Sequence, residues 1–77
     1  MAVADKIRAL LNLKGKKISD MADYFGMSRQ AMRNKLSRGS FSAADLIKIS
    51  MFLGAELSFS ISDNQKIVLD ENDLKEQ

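Results

Sequence analysis

Four glycines, at positions 15, 26, 39 and 54, divide the first 54 residues into short segments, and each segment carries apolar residues at helical spacing. Glycine just past a helix supplies the left-handed cap that ends it. The spacing predicts one helix over 2–13, with Val3, Ile7, Leu10 and Leu11 on one face, and a second over 18–25, with Ile18, Met21, Ala22 and Phe25. A third follows the N-cap residue Ser28 and runs to about Ser37. The fourth, over 43–53, follows Ser42 with Asp45 three positions on, a capping-box pattern. It is apolar on nearly all sides, so it must be covered on more than one.

After Gly54 the period drops from helical to two. Leu57, Phe59 and Ile61 alternate with Ser58, Ser60 and Ser62, then a polar "DNQ" precedes "KIVLD". This is a β-hairpin pattern, with strands near 56–61 and 66–70. A lone hairpin is marginal in water, so it must pack on helix four or pair with another chain. The tail, 71–77, is polar and expected to fray. The reading is a mainly α chain: a four-helix domain over 1–54, a hairpin over 55–70 and the tail.

With 77 residues, no cysteine and no histidine, neither a disulfide nor a zinc site of the usual kind can staple this small core. Stability must come from helix packing or from a second copy. Asp5, Lys6 and Arg8 interrupt the N-terminal apolar residues, so neither a signal peptide nor a membrane span is expected, and the location expected is cytoplasmic. Catalysis fares badly as well. Without His or Cys, and with no Gly-rich phosphate loop, Ser-x-x-Lys element or metal-ligand spacing, no catalytic residue, metal or cofactor is expected.

The formal charge of +2 conceals a strong asymmetry. Residues 1–38 hold nine basic groups against three acidic ones, a net of +6, whereas 39–77 hold three against seven, a net of −4. A basic half next to an acidic half suits a polyanionic partner on one side only.

Within the basic half, "FGMSRQAMRNKLSRGSFS" places Arg29, Gln30, Arg33 and Asn34 within six positions. At 100° per residue, Gln30, Arg33 and Ser37 share a face flanked by Arg29 and Asn34, while Met32 and Leu36 point roughly the other way. A short helix, a "GMS" connection and a third helix bearing polar forks make a helix-turn-helix. Arginine offers a donor fork to guanine, and Gln and Asn offer a donor and acceptor pair to adenine. Ser28, Lys14, Lys16, Lys17, Lys35, Arg38 and Ser40 flank that helix as candidate phosphate contacts. Taken singly, a surface lysine is more often a solvated charge.

The stretch "ISDMADYFGMSRQAMRNKLSRGSFS" resembles the helix-turn-helix of Cro/repressor-type regulators, common in bacteria and their phages. Ala22 falls at the tightly packed alanine, Gly26 at the turn glycine and Met32 at the buried position of the recognition helix. The resemblance implies a lambda-repressor-like four-helix fold and a transcriptional repressor of double-stranded DNA. It also implies that Arg29, Gln30, Arg33 and Asn34 read bases. Where that family often carries a glutamine at the start of helix two, this chain has Ile18. Phosphate binding there would fall to backbone N–H groups with Lys16 and Lys17. Lys35 stands where an apolar residue is common, and Leu36 beside it can take over the packing.

Family members typically bind two half-sites as a symmetric pair, which implies a homodimer on a pseudo-palindromic operator. The residues offer the means: Phe52 on helix four, and Leu57, Phe59 and Ile61 on the first strand, are the expected interface. In the other arrangement hairpin and helix four bury each other within one chain. A different functional class also fits the fold, a protein-interaction module of the antitoxin or repressor-partner type that uses the helix-turn-helix as a scaffold. The polar forks on helix three discriminate, since a scaffold would not need them.

Overall fold

The computed structural model of the chain describes residues 2–74. They fall into two compact units, Met1–Phe41 and Ser42–Gln77. The division coincides with the change of charge, because residues 39–41 carry none and the net +6 therefore belongs to the first unit.

The first unit holds α1 (Val3–Leu13), α2 (Ile18–Phe25) and α3 (Arg29–Arg38). Its buried residues are Ala4, Ile7 and Leu11 from α1, Met21 and Ala22 from α2, and Met32 and Leu36 from α3. On α1 this corrects the expected face, since Val3 and Leu10 are exposed. Ala4, Ile7 and Leu11, at i, i+3 and i+7, lie within about 60° of one another, and Val3 and Leu10 fall on the flank of that stripe. Alanine at position 4 marks the inward line better than the larger residues beside it.

The connection from α2 to α3 is three residues long. Gly26 takes φ 69° and ψ 33°, and the N–H of Met27 reaches back to the carbonyl of Ala22 at 3.0 Å. This six-to-one bond closes α2 in a Schellman cap. Ser28, extended at φ −70° and ψ 157°, then starts α3, its Oγ accepting the N–H of Ala31 at 3.0 Å. Two caps separated by one residue fix the entry of α3, which packs on α2.

The second unit opens with α4 (Ala43–Leu53). Ser42 Oγ accepts the N–H of Asp45 at 3.1 Å while Asp45 Oδ2 accepts the N–H of Ser42 at 3.0 Å, the full capping box. Ile47, Ile49 and Leu53 are buried. Positions 47 and 49 lie about 200° apart on the helix, so α4 is covered on opposite sides. Strands β1 (Leu57–Ser62) and β2 (Gln65–Leu69) pair antiparallel, with Leu57 opposite Leu69 and Phe59 opposite Ile67. Ser60 faces Lys66 and Ser62 faces Gln65, which leaves Ile61 as a bulge with no partner on β2. A two-residue hairpin turn ordinarily needs left-handed residues. Asp63 and Asn64 have none, and the bulge takes up the mismatch.

The tail expected to fray forms instead a 3-10 turn at Glu71–Leu74 that contacts α4. Asp73 Oδ2 accepts the N–H of Asp70 and Asp70 Oδ1 accepts that of Asn72, both at 2.9 Å, while Leu74 is half-buried. Residues 75–77 lie outside the described residues. No helix among the described residues is long and apolar enough to cross a membrane.

Candidate nucleic-acid interface

The site is built on α3, because burial of Met32 and Leu36 dictates which side of that helix is left for a partner. Arg29, Gln30, Arg33, Asn34, Ser37 and Arg38 are all exposed. Gln30 Nε2 donates to Asn34 Oδ1 at 3.1 Å, one helical turn on. The amide of Gln30 keeps a second N–H and its own oxygen, the donor and acceptor pair an adenine edge requires.

Arg29 and Arg33 also line an open cleft of about 340 Å³ with Lys17, Ile18 and Ser19. The start of α2 thus faces two guanidinium groups. First-turn N–H groups at a helix N-terminus have no intrahelical acceptor and favour anions. One of the donors expected here is already engaged: the N–H of Lys17 donates to Asp20 Oδ2 at 3.0 Å. The N-terminal donors of Ile18 and Ser19 follow it in the first turn, with the Ser19 hydroxyl beside them. Ser19 was not singled out in the sequence. The signal that could have found it was a hydroxyl at the second position of a helix beginning next to two lysines.

A second open cleft, of about 300 Å³, is lined by Arg8, Leu11, Asn12, Lys16, Lys17 and Ile18. It adds Arg8 and Asn12 to the basic surroundings of the α2 start, although Arg8 Nη1 lies 3.5 Å from Asp5 Oδ1. Lys14 caps the end of α1 and is exposed. At the far end of α3, Lys35 is half-buried with its Nζ 5.7 Å from the centre of the Phe41 ring, a cation–π arrangement. Leu36, buried, does the packing at that level. Arg38 sits in the last turn of α3 and Ser40 just past the Gly39 cap, both exposed. Ser28 Oγ serves the helix cap and, as a hydroxyl, still has a proton to donate.

The expected interface residues in the second unit differ in availability. Phe52 and Leu57 are half-buried, whereas Phe59 and Ile61 are exposed.

The family model of the bacteriophage CI repressor helix-turn-helix domain matches residues 6–61 of the chain. The chain belongs to this family. The match runs from the first turn of α1 through β1, so it takes in all of α2, the Gly26 turn and α3. Neither the curated proteins nor the solved structures give a match. As a CI repressor-type helix-turn-helix chain, it is a DNA-binding regulator of repressor type, and the family is not one of enzymes. Burial of Ala22 and Met32, positive φ at Gly26 and Ser28 capping α3 are the local reasons this sequence adopts the helix-turn-helix.

Proposed function

We propose that the chain is a sequence-specific repressor that binds a pseudo-palindromic operator in double-stranded DNA as a homodimer, one helix-turn-helix to each half-site. Arg29, Gln30, Arg33 and Asn34 meet base edges in the major groove. Lys14, Lys16, Lys17, Ser28, Lys35, Arg38 and Ser40 meet phosphates, joined by Ser19 at the start of α2. The observation that carries this reading is the exposed row of hydrogen-bonding side chains on α3 beside the Lys17–Ser19–Arg29–Arg33 cleft. A major groove admits one helix, and a phosphate strand at its rim would meet the cleft.

The net charge of +6 in the first unit supports the same orientation, since the acidic second unit gains nothing by approaching DNA. Selection of duplexes from a random pool tests the reading. Recovery of a site with two inverted half-sites about one helical turn apart is the expected result. Recovery of no enriched sequence, with binding equal on all duplexes, would leave a non-specific or purely protein-binding role.

A further inference from the structure

The apolar residues of α1 that the core leaves outside are not scattered. Val3, Leu10 and Leu13 are 52 %, 37 % and 81 % exposed, and with the exposed Lys6 they fall at steps of three, four and three. At 100° per residue these four positions lie within about 80° of one another. Alternating steps of three and four are the a and d spacing by which one helix packs along another. The seam runs the length of an 11-residue helix, about 16 Å. Ala9, small and exposed, flanks it, and Asp5, Lys6, Ala9, Leu10 and Leu13 line one open cleft of about 410 Å³. Single exposed apolar side chains are ordinary, whereas three in register along one helix form a patch.

The charges on and beside the seam select its occupant. Lys6 stands on the d line, and no hydrogen bond or ion pair engages it among the described residues. Asp5 is turned to Arg8 instead, Oδ1 to Nη1 at 3.5 Å. A lone polar residue on such a seam costs a helix pair stability unless the partner answers it, so it sets partner choice. The answer to a lysine is a carboxylate. The net +6 of the first unit favours an acidic partner in the same way. A second copy of α1 fails on both counts, because it brings another lysine, another +6 and no acidic residue on its own seam.

We propose that the Val3–Lys6–Leu10–Leu13 seam is a docking surface for a short acidic amphipathic helix of another protein, with apolar residues of that helix seated against Val3, Leu10 and Leu13 and a carboxylate on Lys6. None of the four is among the DNA contacts assigned above. Resting on that DNA-binding reading, the chain therefore holds its partner while it is bound to the operator. Three apolar side chains fall well short of the roughly 800 Å² per partner of a stable complex, so the contact is a transient one.

Two measurements test it. In the first, amide spectra of the full chain are followed as a synthetic helical peptide is added, with leucine along its a and d lines, glutamate at one d position, and glutamate and alanine elsewhere. Signals of residues 3–14 should shift, with half-saturation below about 1 mM. A counterpart with lysine in place of every glutamate, and an acidic peptide of scrambled order, should leave them in place. Leu13→Ser should weaken the acidic peptide at least about tenfold. Lys6→Glu should do the same and admit the lysine peptide, while the α3 signals of both variants stay where the parent has them. Equal binding of the acidic and lysine peptides, shifts confined to the hairpin, or no reversal in Lys6→Glu would overturn the proposal. So would shifts of 3–14 produced by concentrating the chain alone, which mark a second copy, or by phosphatidylglycerol vesicles in place of the peptide, which mark a lipid surface. In the second, the acidic peptide is titrated into the chain bound to a duplex from the selected pool. The same signals should shift at similar concentrations with the duplex still bound, and release of the duplex would overturn joint occupancy. Failure of the unsubstituted chain to prefer any duplex would instead count against the DNA-binding reading, and the first measurement would still decide on the seam.

Discussion

Gln30 and Asn34 are hydrogen-bonded side chain to side chain, Nε2 to Oδ1 at 3.1 Å, on the exposed side of α3. The bond fixes the plane of the Gln30 amide before any partner arrives. It uses one of two N–H groups and leaves the other, with Oε1, available to a partner. Gln30 and Asn34 would therefore read bases as a linked pair. Gln30→Ala and Asn34→Ala should then relax preference at the same base pair. Their double variant should lose less than the sum of the singles, the mark of residues acting as one unit. Binding-site selection on the three variants measures this, and additive losses at two different base pairs would separate the residues.

Arg33 and Lys16 are expected to differ in kind. Arg33 lies on α3 and lines the cleft at the start of α2, while Lys16 lies in the loop before α2. Arg33→Ala should cost about 1–3 kcal/mol on the selected site and relax one base position. Lys16→Ala should weaken binding to all duplexes alike and lower the slope of log affinity against log salt by about one. Titrations at several salt concentrations on selected and random duplexes check both. Equal losses on the two duplexes for Arg33→Ala would remove its assignment as a base reader.

Gly26 separates conformation from space. A Cβ built there meets nothing within 4 Å, so the obstacle to a Cβ is φ at +69° and not a neighbouring atom. For an L-residue that geometry costs about 1–2 kcal/mol, less for Asn, more for a β-branched residue. Thermal stability should therefore fall in the order Gly, Asn, Ala, Val. The Ala step should amount to about 4–8 °C in a domain of this size. A Gly26→Val chain melting with the parent would mean that the turn adopts another geometry in solution.

What the sequence revealed, and what it hid, divides along physical lines. Helix ends were legible because they are set by local chemistry: Ser28 and Ser42 cap α3 and α4, and Gly26, Gly39 and Gly54 close the helices before them, each within a few residues of its partners. The inward face of α1 was less legible. Val3 and Leu10 match the helical period as well as Ala4 does, and only tertiary packing chooses between neighbouring stripes. The bulge at Ile61 left no mark in the alternating pattern, since slipping one residue near a turn changes register without changing composition. The 3-10 turn at Glu71–Leu74 was hidden in a polar string, although Asp70 and Asp73 carried its capping chemistry. In the candidate site, α3 was readable from its own residue types. Ser19 needed the spatial meeting of α2 with α3, whereas the engagement of the Lys17 N–H by Asp20 is a local contact three positions along the chain.

The hairpin also carries a pH response. The Glu56 carboxyl is held below its ordinary value of about 4.5, first by the hydrogen bond from Lys66 and then by that from Ser58. A carboxyl with a lowered folded-state pKa favours the fold above its unfolded value and ceases to do so as pH falls through the folded one. The Glu56–Lys66 link is therefore intact at neutral pH and opens only below about 4.5. Both groups are exposed, so the effect is local and weakened by salt, the screening length being about 10 Å at 0.1 M. On acidification, amide signals of 56–58 and 66–68 should move together with one midpoint, and Glu56→Gln should flatten that titration without disturbing α2 or α3. Raising salt should bring the midpoint closer to the ordinary carboxylate value. A Glu56 midpoint above that value at low salt would show that Lys66 does not hold the carboxylate in solution.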